Sequence, residues 1–478
     1  MLVLRNVRLV DPTRGETAPA PVDLRLERGR FTAIAPTGTL AGEALDARGR
    51  FALPGLIDCH VHVTGVFLPD LPRARDVPWM PAQVALNLRA SLESGVTTVR
   101  DLMAPLRPVL RLRDRARDPA SGWPRIVCSG PMLTVPGGYP DFVPPDTPAS
   151  RAVLGPLRID LRSPREARRW VDRLAAARVD LIKVGFSSRA YDRGRTPMAA
   201  PSRELMTAIA DAAHRHNLPV AVHHTWAADL RRLVELPFDT LEHLTLDEEL
   251  DDALADAVAA RRAPVTTNLE VFGFIDQAQE HLARLEAGRG AFLPEPRRII
   301  DEALRAITGG GSPHPHFFVD GLRGATTRQG RNLARLAERG VLIGAATDAG
   351  TNLTFGSLPD ELVHMTRAGL TPAAALRAAT VDAARLLGRH DLGAIAPGAR
   401  ADLVLYDEDP LASIEALRRP VAVFRDGRLV AGGLDGALAP LRARPPGVRS
   451  VARAAVHLCA GPALSRLRRA LALVSRWG

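Results

Sequence analysis

Six residues of this 478-residue chain are of types that bind divalent metals, and each closes an apolar β-type run. His60 and His62 lie two apart in LPGLIDCHVH, so a strand points both to one face and turns Cys59 and Val61 to the other. Lys183 is expected to end the run DLIKVGF, His223 the run LPVAVHH, His243 the run DTLEHLT and Asp348 the run VLIGAATD. Burying that many polar groups is costly unless something compensates them, and a divalent cation does so. Imidazole with carboxylate suits Zn²⁺, with Mn²⁺, Co²⁺ and Fe²⁺ as alternatives that residue type does not separate. Lys183 stands out further, because Lys and Arg total 63 and it is the one lysine among them. A chain that uses arginine at every other cationic position is expected to need a primary amine at this one. His224 adjoins His223 but points to the opposite face of a regular strand, so it is left out of the set.

These residues need elements that bring them to one rim. Eight apolar runs, over 53–62, 95–101, 125–130, 180–186, 218–224, 239–245, 263–269 and 341–348, alternate with amphipathic helical stretches. That alternation predicts parallel βαβ units closing into an α/β fold, a (β/α)8 TIM-type barrel over 51–392, with the six residues at its functional end. Residues 1–50 and 393–437 alternate apolar and polar with period two, which predicts short antiparallel strands forming one composite β-domain. Thr371-Pro372 ahead of AAALRAATVDAARLLG reads as a capped helix start that ends at Gly388. Two connections exceed what a barrel needs: 132–161, with Gly137-Gly138-Tyr139, and about 270–329, with Gly309-Gly310-Gly311 and the HPH of His314 and His316. Each follows a strand end, and each is read as a substrate wall or lid, or else a plain surface insertion. Tyr139 and His316 are the candidate substrate contacts there. Arg100 and Asp101 end the second run as a structural ion pair or as part of the site, and Arg100 is retained as a third candidate contact.

Hydrophobic residues at 46%, charged residues at 24% and a mean hydropathy of −0.03 exclude a disordered, fibrous or membrane-spanning chain. No start-of-chain signal is read, because Arg5, Arg8, Asp11 and Arg14 interrupt the first apolar stretch. Cys59, Cys128 and Cys459 are odd in number and far apart, which fits a reducing cytoplasm. The formal charge of +10 is local: residues 438–478 hold eight arginines and no acid. The rest is near neutral, so no nucleic-acid partner is expected. Within that extension Leu464, Leu467, Leu471 and Val474 form a stripe that predicts a helix docked on its own barrel or on a subunit neighbour, consistent with a homo-oligomer. An anionic membrane surface is the less favoured alternative.

The motifs together resemble the amidohydrolase superfamily, in the imidazolonepropionase-like branch that includes Xaa-Pro dipeptidases. They are LPGLIDCHVH, GVTTVRD, the lysine strand, VAVHH with its histidine twenty positions before that of LEH, TDAG, LTPAAALRAATVDAARLLG and LGAIAPGARADLVLYDEDPL. The resemblance implies a β-sandwich built from both chain ends beside the barrel. It further implies two metal ions, one on His60, His62 and Asp348 and one on His223 and His243, bridged by Lys183 as a carbamate. A neutral amine captures CO₂ to become an anionic bridging ligand, whereas guanidinium stays protonated. Asp348 would take the proton of a metal-bridging hydroxide and return it to the leaving amine. The implied activity is hydrolysis of an amide in a small-molecule substrate, such as a dipeptide or N-acyl amino acid. A cyclic amide, lactone or N-heterocycle, including deamination, is the alternative, and a non-catalytic barrel assembly protein the remote one. Tyr139 departs from the pattern, standing where many dipeptidase-like relatives carry histidine.

Overall fold

A computed structural model describes residues 1–65, 80–140, 155–190, 196–273, 324–350 and 355–434 of the chain. His314, His316, the triple glycine and the Arg-rich extension lie outside the described residues. Among the described residues no helix is long and apolar enough to cross a membrane.

Both chain ends build one nine-stranded sheet. Its strands are β1 (Leu2–Asp11), β2 (Glu16–Thr17), β3 (Val22–Glu27), β4 (Arg30–Pro36), β5 (Ala44–Asp46) and β6 (Phe51–Pro54) from the start. From the other end come β17 (Leu403–Tyr406), β18 (Ala422–Arg425) and β19 (Arg428–Gly432). The central order is β19-β18-β17-β6-β1-β3-β4, with β2 and β5 on β1. The period-two pattern materialises as antiparallel pairs such as β1–β3, β3–β4 and β17–β6, yet β5 and β6 run parallel to β1, which alternation alone does not reveal. Leu4, Val7, Leu24 and Phe31 from one end share an apolar cluster with Leu403, Leu405 and Phe424 from the other.

Two all-parallel sheets lie between. One joins β7 (Leu56–Val61), β8 (Val96–Asp101) and β9 (Arg125–Cys128). The other has the order β11-β10-β12-β13-β14-β15-β16. Its strands are β10 (Met132–Thr134), β11 (Arg158–Asp160), β12 (Ile182–Gly185), β13 (Val220–His223), β14 (Thr240–Glu242), β15 (Val265–Thr266) and β16 (Ile343–Gly344). Each of the eight expected runs contributes a strand, though the last two are only two residues long. Backbone bonds join the two sheets: ahead of β12, Asp180 N–H donates to Cys128 at 2.9 Å, and on the far side Cys59 N–H donates to Ala345 and His62 N–H to Ala349, at 2.9 and 2.8 Å. Strands β10 and β11 fall inside the connection read as a loop; three-residue segments carry too little periodicity to signal themselves.

Helices follow the strands, and several of them start on side-chain caps. Ser163 accepts from Glu166 N–H before α3 (Pro164–Ala176), Ser202 from Leu205 N–H before α4 (Arg203–Arg215), and Asp251 from Leu254 N–H before α6 (Asp252–Ala260), with α5 (Ala227–Leu233) between the last two. Helix α1 (Met80–Glu93) and α2 (Leu106–Ala116) precede them, and α7 (Ala325–Glu338) and α8 (Leu358–Arg367) follow. The single helix expected after Thr371 is two, α9 (Pro372–Ala378) and α10 (Val381–Leu386). Its start is as read, with Thr371 accepting from Ala374 N–H, and Gly388 takes φ +64°. The break at Thr380 releases carbonyls from the helical ladder: Ala378 accepts from Ala345 N–H and Ala379 from Ile57 N–H, both at 2.8 Å. The helix pair is thereby fastened to the first and last parallel strands.

Candidate metal centre

The cluster is assembled from residues that lie far apart in sequence and at slightly different heights along their strands. His60 lies in β7 and His62 just beyond it, Lys183 is inside β12, His223 ends β13 and His243 follows β14 directly. Asp348 sits four residues past the end of β16, beyond the strand that was expected to present it, and is tied back by its N–H donating to His60 O at 2.8 Å. His243 and Asp348 both take left-handed backbone, at φ +77° and +59°, as does Asn268 at +89°. Such conformations cost non-glycine residues free energy and persist only where surrounding contacts impose them. Gly350 has φ +99°, and a Cβ there would run into the His62 carbonyl, so the turn carrying Asp348 requires glycine.

Ligand atoms of His60, His62 and Asp348 all lie within 4.8 Å of one another. Asp348 Oδ1 is 2.9 Å from His62 Nε2 and 3.6 Å from His60 Nε2. The rings of His60 and His243 are 4.7 Å apart by centroid, and those of His243 and His223 likewise 4.7 Å. Tyr139 stacks on His223 at 3.7 Å. Lys183 is buried, and its charge bears on His60, His223 and His243. Lys183 Nζ and His223 Nε2 are buried without a hydrogen-bond partner among the described residues.

Electrostatics favour neutral ligands. Burial, reinforced by neighbouring cations, holds His60, His223 and His243 well below the ordinary imidazole value. Burial pushes Lys183 down to about 8. For His62, burial acts in the same direction but the Asp348 carboxylate outweighs it and raises the imidazole. The donor set of four imidazoles, three of them held neutral by burial, one carboxylate and an amine with a lowered pKa fits divalent metal.

A supporting layer escaped sequence reading. Glu242 is buried beneath His60, with Oε2 3.0 Å from His60 Nδ1. Asp58 accepts from His60 N–H at 3.2 Å and from Thr347 N–H and Oγ1 at 3.1 and 2.7 Å, joining β7 to the turn before Asp348. Asn268 places its side-chain amide 3.0 Å from His243 Nδ1, and Glu361 of α8 accepts the N–H groups of Asn268, Leu269 and Glu270 at 2.9, 2.9 and 2.7 Å. An acid adjoining a ligand-type histidine, as in LEH, was the available signal for Glu242; nothing in sequence marks Glu361.

Arg100 requires a correction. It is 2% exposed, and its guanidinium donates to Cys59 O, Thr240 Oγ1 and both oxygens of Glu242. It therefore forms a structural ion pair with Glu242 instead of facing substrate, and its partner is not Asp101, which accepts from Val63 N–H at 2.7 Å. His224 is buried beside His223, and its charge bears on that residue. His316 lies outside the described residues. Cys59 and Cys128 are free thiols.

The family model described as Amidohydrolase family matches residues 51–430. An imidazolonepropionase of Anaeromyxobacter sp. (strain K) is 27% identical, with 90% of this chain and 96% of that protein covered. Among solved structures, one of an amidohydrolase superposes with a TM-score of 0.69 at 25% identity, covering 91% of this chain and all of that one. A Xaa-Pro dipeptidase with bound methionine in its active site superposes with a TM-score of 0.72 at 22% identity, covering 90% and 100%, a likeness of fold. With the matching model spanning the parallel sheets and every residue of the cluster, the chain belongs to the Amidohydrolase family of hydrolases.

Proposed function

We propose that this chain is a binuclear metal-dependent amidohydrolase that cleaves the C–N bond of a small amide, a dipeptide or an N-acyl amino acid. The observation that carries the reading is the group His60, His62 and Asp348, with ligand atoms within 4.8 Å of one another, beside the buried, unpartnered nitrogens Lys183 Nζ and His223 Nε2. Such groups are expensive to bury unless a ligand completes them. His60, His62 and Asp348 would hold one ion and His223 and His243 the second, with Lys183 bridging as a carbamate; zinc is the first candidate, ahead of manganese, cobalt and iron. When bound, the ions supply Lewis acidity, activating a water and polarising the scissile carbonyl.

The chain's own groups then divide the remaining work. Asp348, its side chain 14% exposed, accepts the proton of the attacking water and returns it to the leaving nitrogen. Its carboxylate is the acceptor for that proton in this cluster, since burial holds His60, His223 and His243 well below the ordinary imidazole value. Water adds to the carbonyl, the C–N bond breaks, and the products leave as a carboxylate and a protonated amine, the acid's remaining proton passing to the amine. Tyr139 would contact substrate, a role supported by its half-buried ring stacked on His223.

The backbone bonds between the two parallel sheets support closure into a (β/α)8 barrel over 51–392. The apolar cluster shared by both ends supports a composite β-sandwich domain of 1–50 with 393–437, leaving 438–478 as an extension. Likeness to an imidazolonepropionase supports a second reading, a cyclic amide or N-heterocycle substrate. Metal analysis of the purified protein should return two ions per chain, and a panel of dipeptides, N-acyl amino acids, cyclic amides and lactones should contain a substrate. A released amino acid identifies the first reading and released ammonia identifies deamination. Fewer than two ions together with no cleavage across the panel overturns both.

A further inference from the structure

We infer that Glu242, held by Arg100, is a positioning residue that fixes which nitrogen of His60 carries its proton. The consequence for metal affinity rests on the metal-centre reading above; the tautomer itself does not.

Glu242 is the last residue of β14 and is fully buried. Its Oε1 accepts from Arg100 Nη2 at 2.7 Å and from Thr240 Oγ1 at 2.9 Å. Its Oε2 accepts from Arg100 Nη2 at 2.8 Å and from Thr266 Oγ1 at 2.9 Å, and lies 3.0 Å from His60 Nδ1. A buried carboxylic acid left alone would keep its proton and could donate it to an imidazole. Here Arg100, Thr240 and Thr266 aim four donor contacts at the two oxygens of Glu242, so both oxygens act as acceptors. His60 Nδ1 must then be the N–H donor. In a neutral ring that leaves Nε2 bare, and Nε2 is the nitrogen that faces Asp348 Oδ1 and clusters with His62. Arg100 is itself clamped, its Nε donating to Cys59 O at 2.6 Å on the residue before His60. One guanidinium on β8 thus secures the carboxylate on β14 and the backbone of β7, fixing the ring's orientation as well as its proton. Carboxylate–histidine pairs of this kind orient metal ligands generally.

Long-range ¹H–¹⁵N spectra of metal-free, ¹⁵N-histidine-labelled protein test the inference, with His60 signals identified by their loss in His60→Asn. The wild type should show His60 as the Nδ1–H tautomer, and Glu242→Gln should shift it to a mixture or to the Nε2–H form. Thr266→Val, which removes one neutral donor from the same oxygen, should leave the tautomer unchanged. In chelator competition Glu242→Gln should weaken zinc binding about 10–100-fold. An unchanged tautomer with zinc affinity within about twofold of wild type overturns the role. Should Glu242→Gln fail to fold by circular dichroism, the wild-type spectrum decides alone, since an Nε2–H tautomer there overturns it equally. A folded wild type that takes up no zinc overturns the metal-centre reading, while the tautomer still reports on Glu242.

Discussion

Lys183 is the residue on which charge and chemistry separate most cleanly. Lys183→Arg keeps the positive charge and roughly the volume, yet guanidinium cannot capture CO₂. Metal analysis should find fewer than two ions per chain and activity should fall to background; wild-type turnover in this variant removes the carbamate. Asp348→Asn keeps the shape of the turn and removes the proton acceptor, so kcat should drop about 10²–10⁴-fold with KM much less affected. Residue types were legible because imidazole, amine and carboxylate at the ends of apolar strands have few structural reasons to be there. The partners were less so. Glu242, Asp58 and Arg100 are charged residues in β-type runs, and whether such a residue serves a ligand, a substrate or another strand depends on which side chains lie opposite it in space. Arg100 was misplaced for that reason, since its partner is 142 positions away.

At the level of elements, the stretch after β15 is held from α8. Glu361 gathers three consecutive backbone N–H groups and so sets the turn that presents Asn268 to His243. Glu361→Ala leaves those donors buried and unsatisfied, and unfolding by denaturant should show a loss on the order of 3 kcal/mol. Metal retention at the His223–His243 pair should fall with it; an unchanged unfolding midpoint removes the anchoring role. Element type was readable where the signal was strong, as at the capped helix start of Thr371-Pro372. It failed for β10 and β11, which are too short, and for the helix broken at Thr380, because its interruption answers to the needs of Ile57 and Ala345 on distant strands.

Across the whole molecule, ion pairs join the sheet of the chain ends to the parallel strands. Arg125 of β9 reaches Asp402 and Asp426 at 2.8 and 3.0 Å, and Arg400 continues from Asp426 to Asp391. Hydrogen bonds from Arg389, with its charge and that of Arg400, hold the Asp391 carboxyl well below the usual carboxylate range. A depressed carboxylate contributes stability that is present above its unfolded value near 3.9 and is lost as pH falls towards the folded one. Asp391→Asn should therefore lower Tm modestly at pH 7, the site being partly solvent-screened. The gap to wild type should close below about pH 4 and narrow in high salt. A pH-independent gap would mean that packing, not charge, is responsible.

The bonds that fasten β7 have a consequence for biosynthesis. Ile57, Cys59 and His62 donate to Ala379, Ala345 and Ala349, and β6, directly before them, pairs with β17. The first two histidines leave the ribosome long before any of those partners. At about 5–20 residues per second the wait for Ala379 is roughly 15–60 s. For that interval the nascent chain carries a bare pair of imidazoles without the carboxylate or the strand that completes their surroundings. The surroundings of the centre are therefore completed only once the α9–α10 break has emerged, and a chain stopped short of it would hold all six of the cluster's residues without the bond that fastens Ile57 to Ala379.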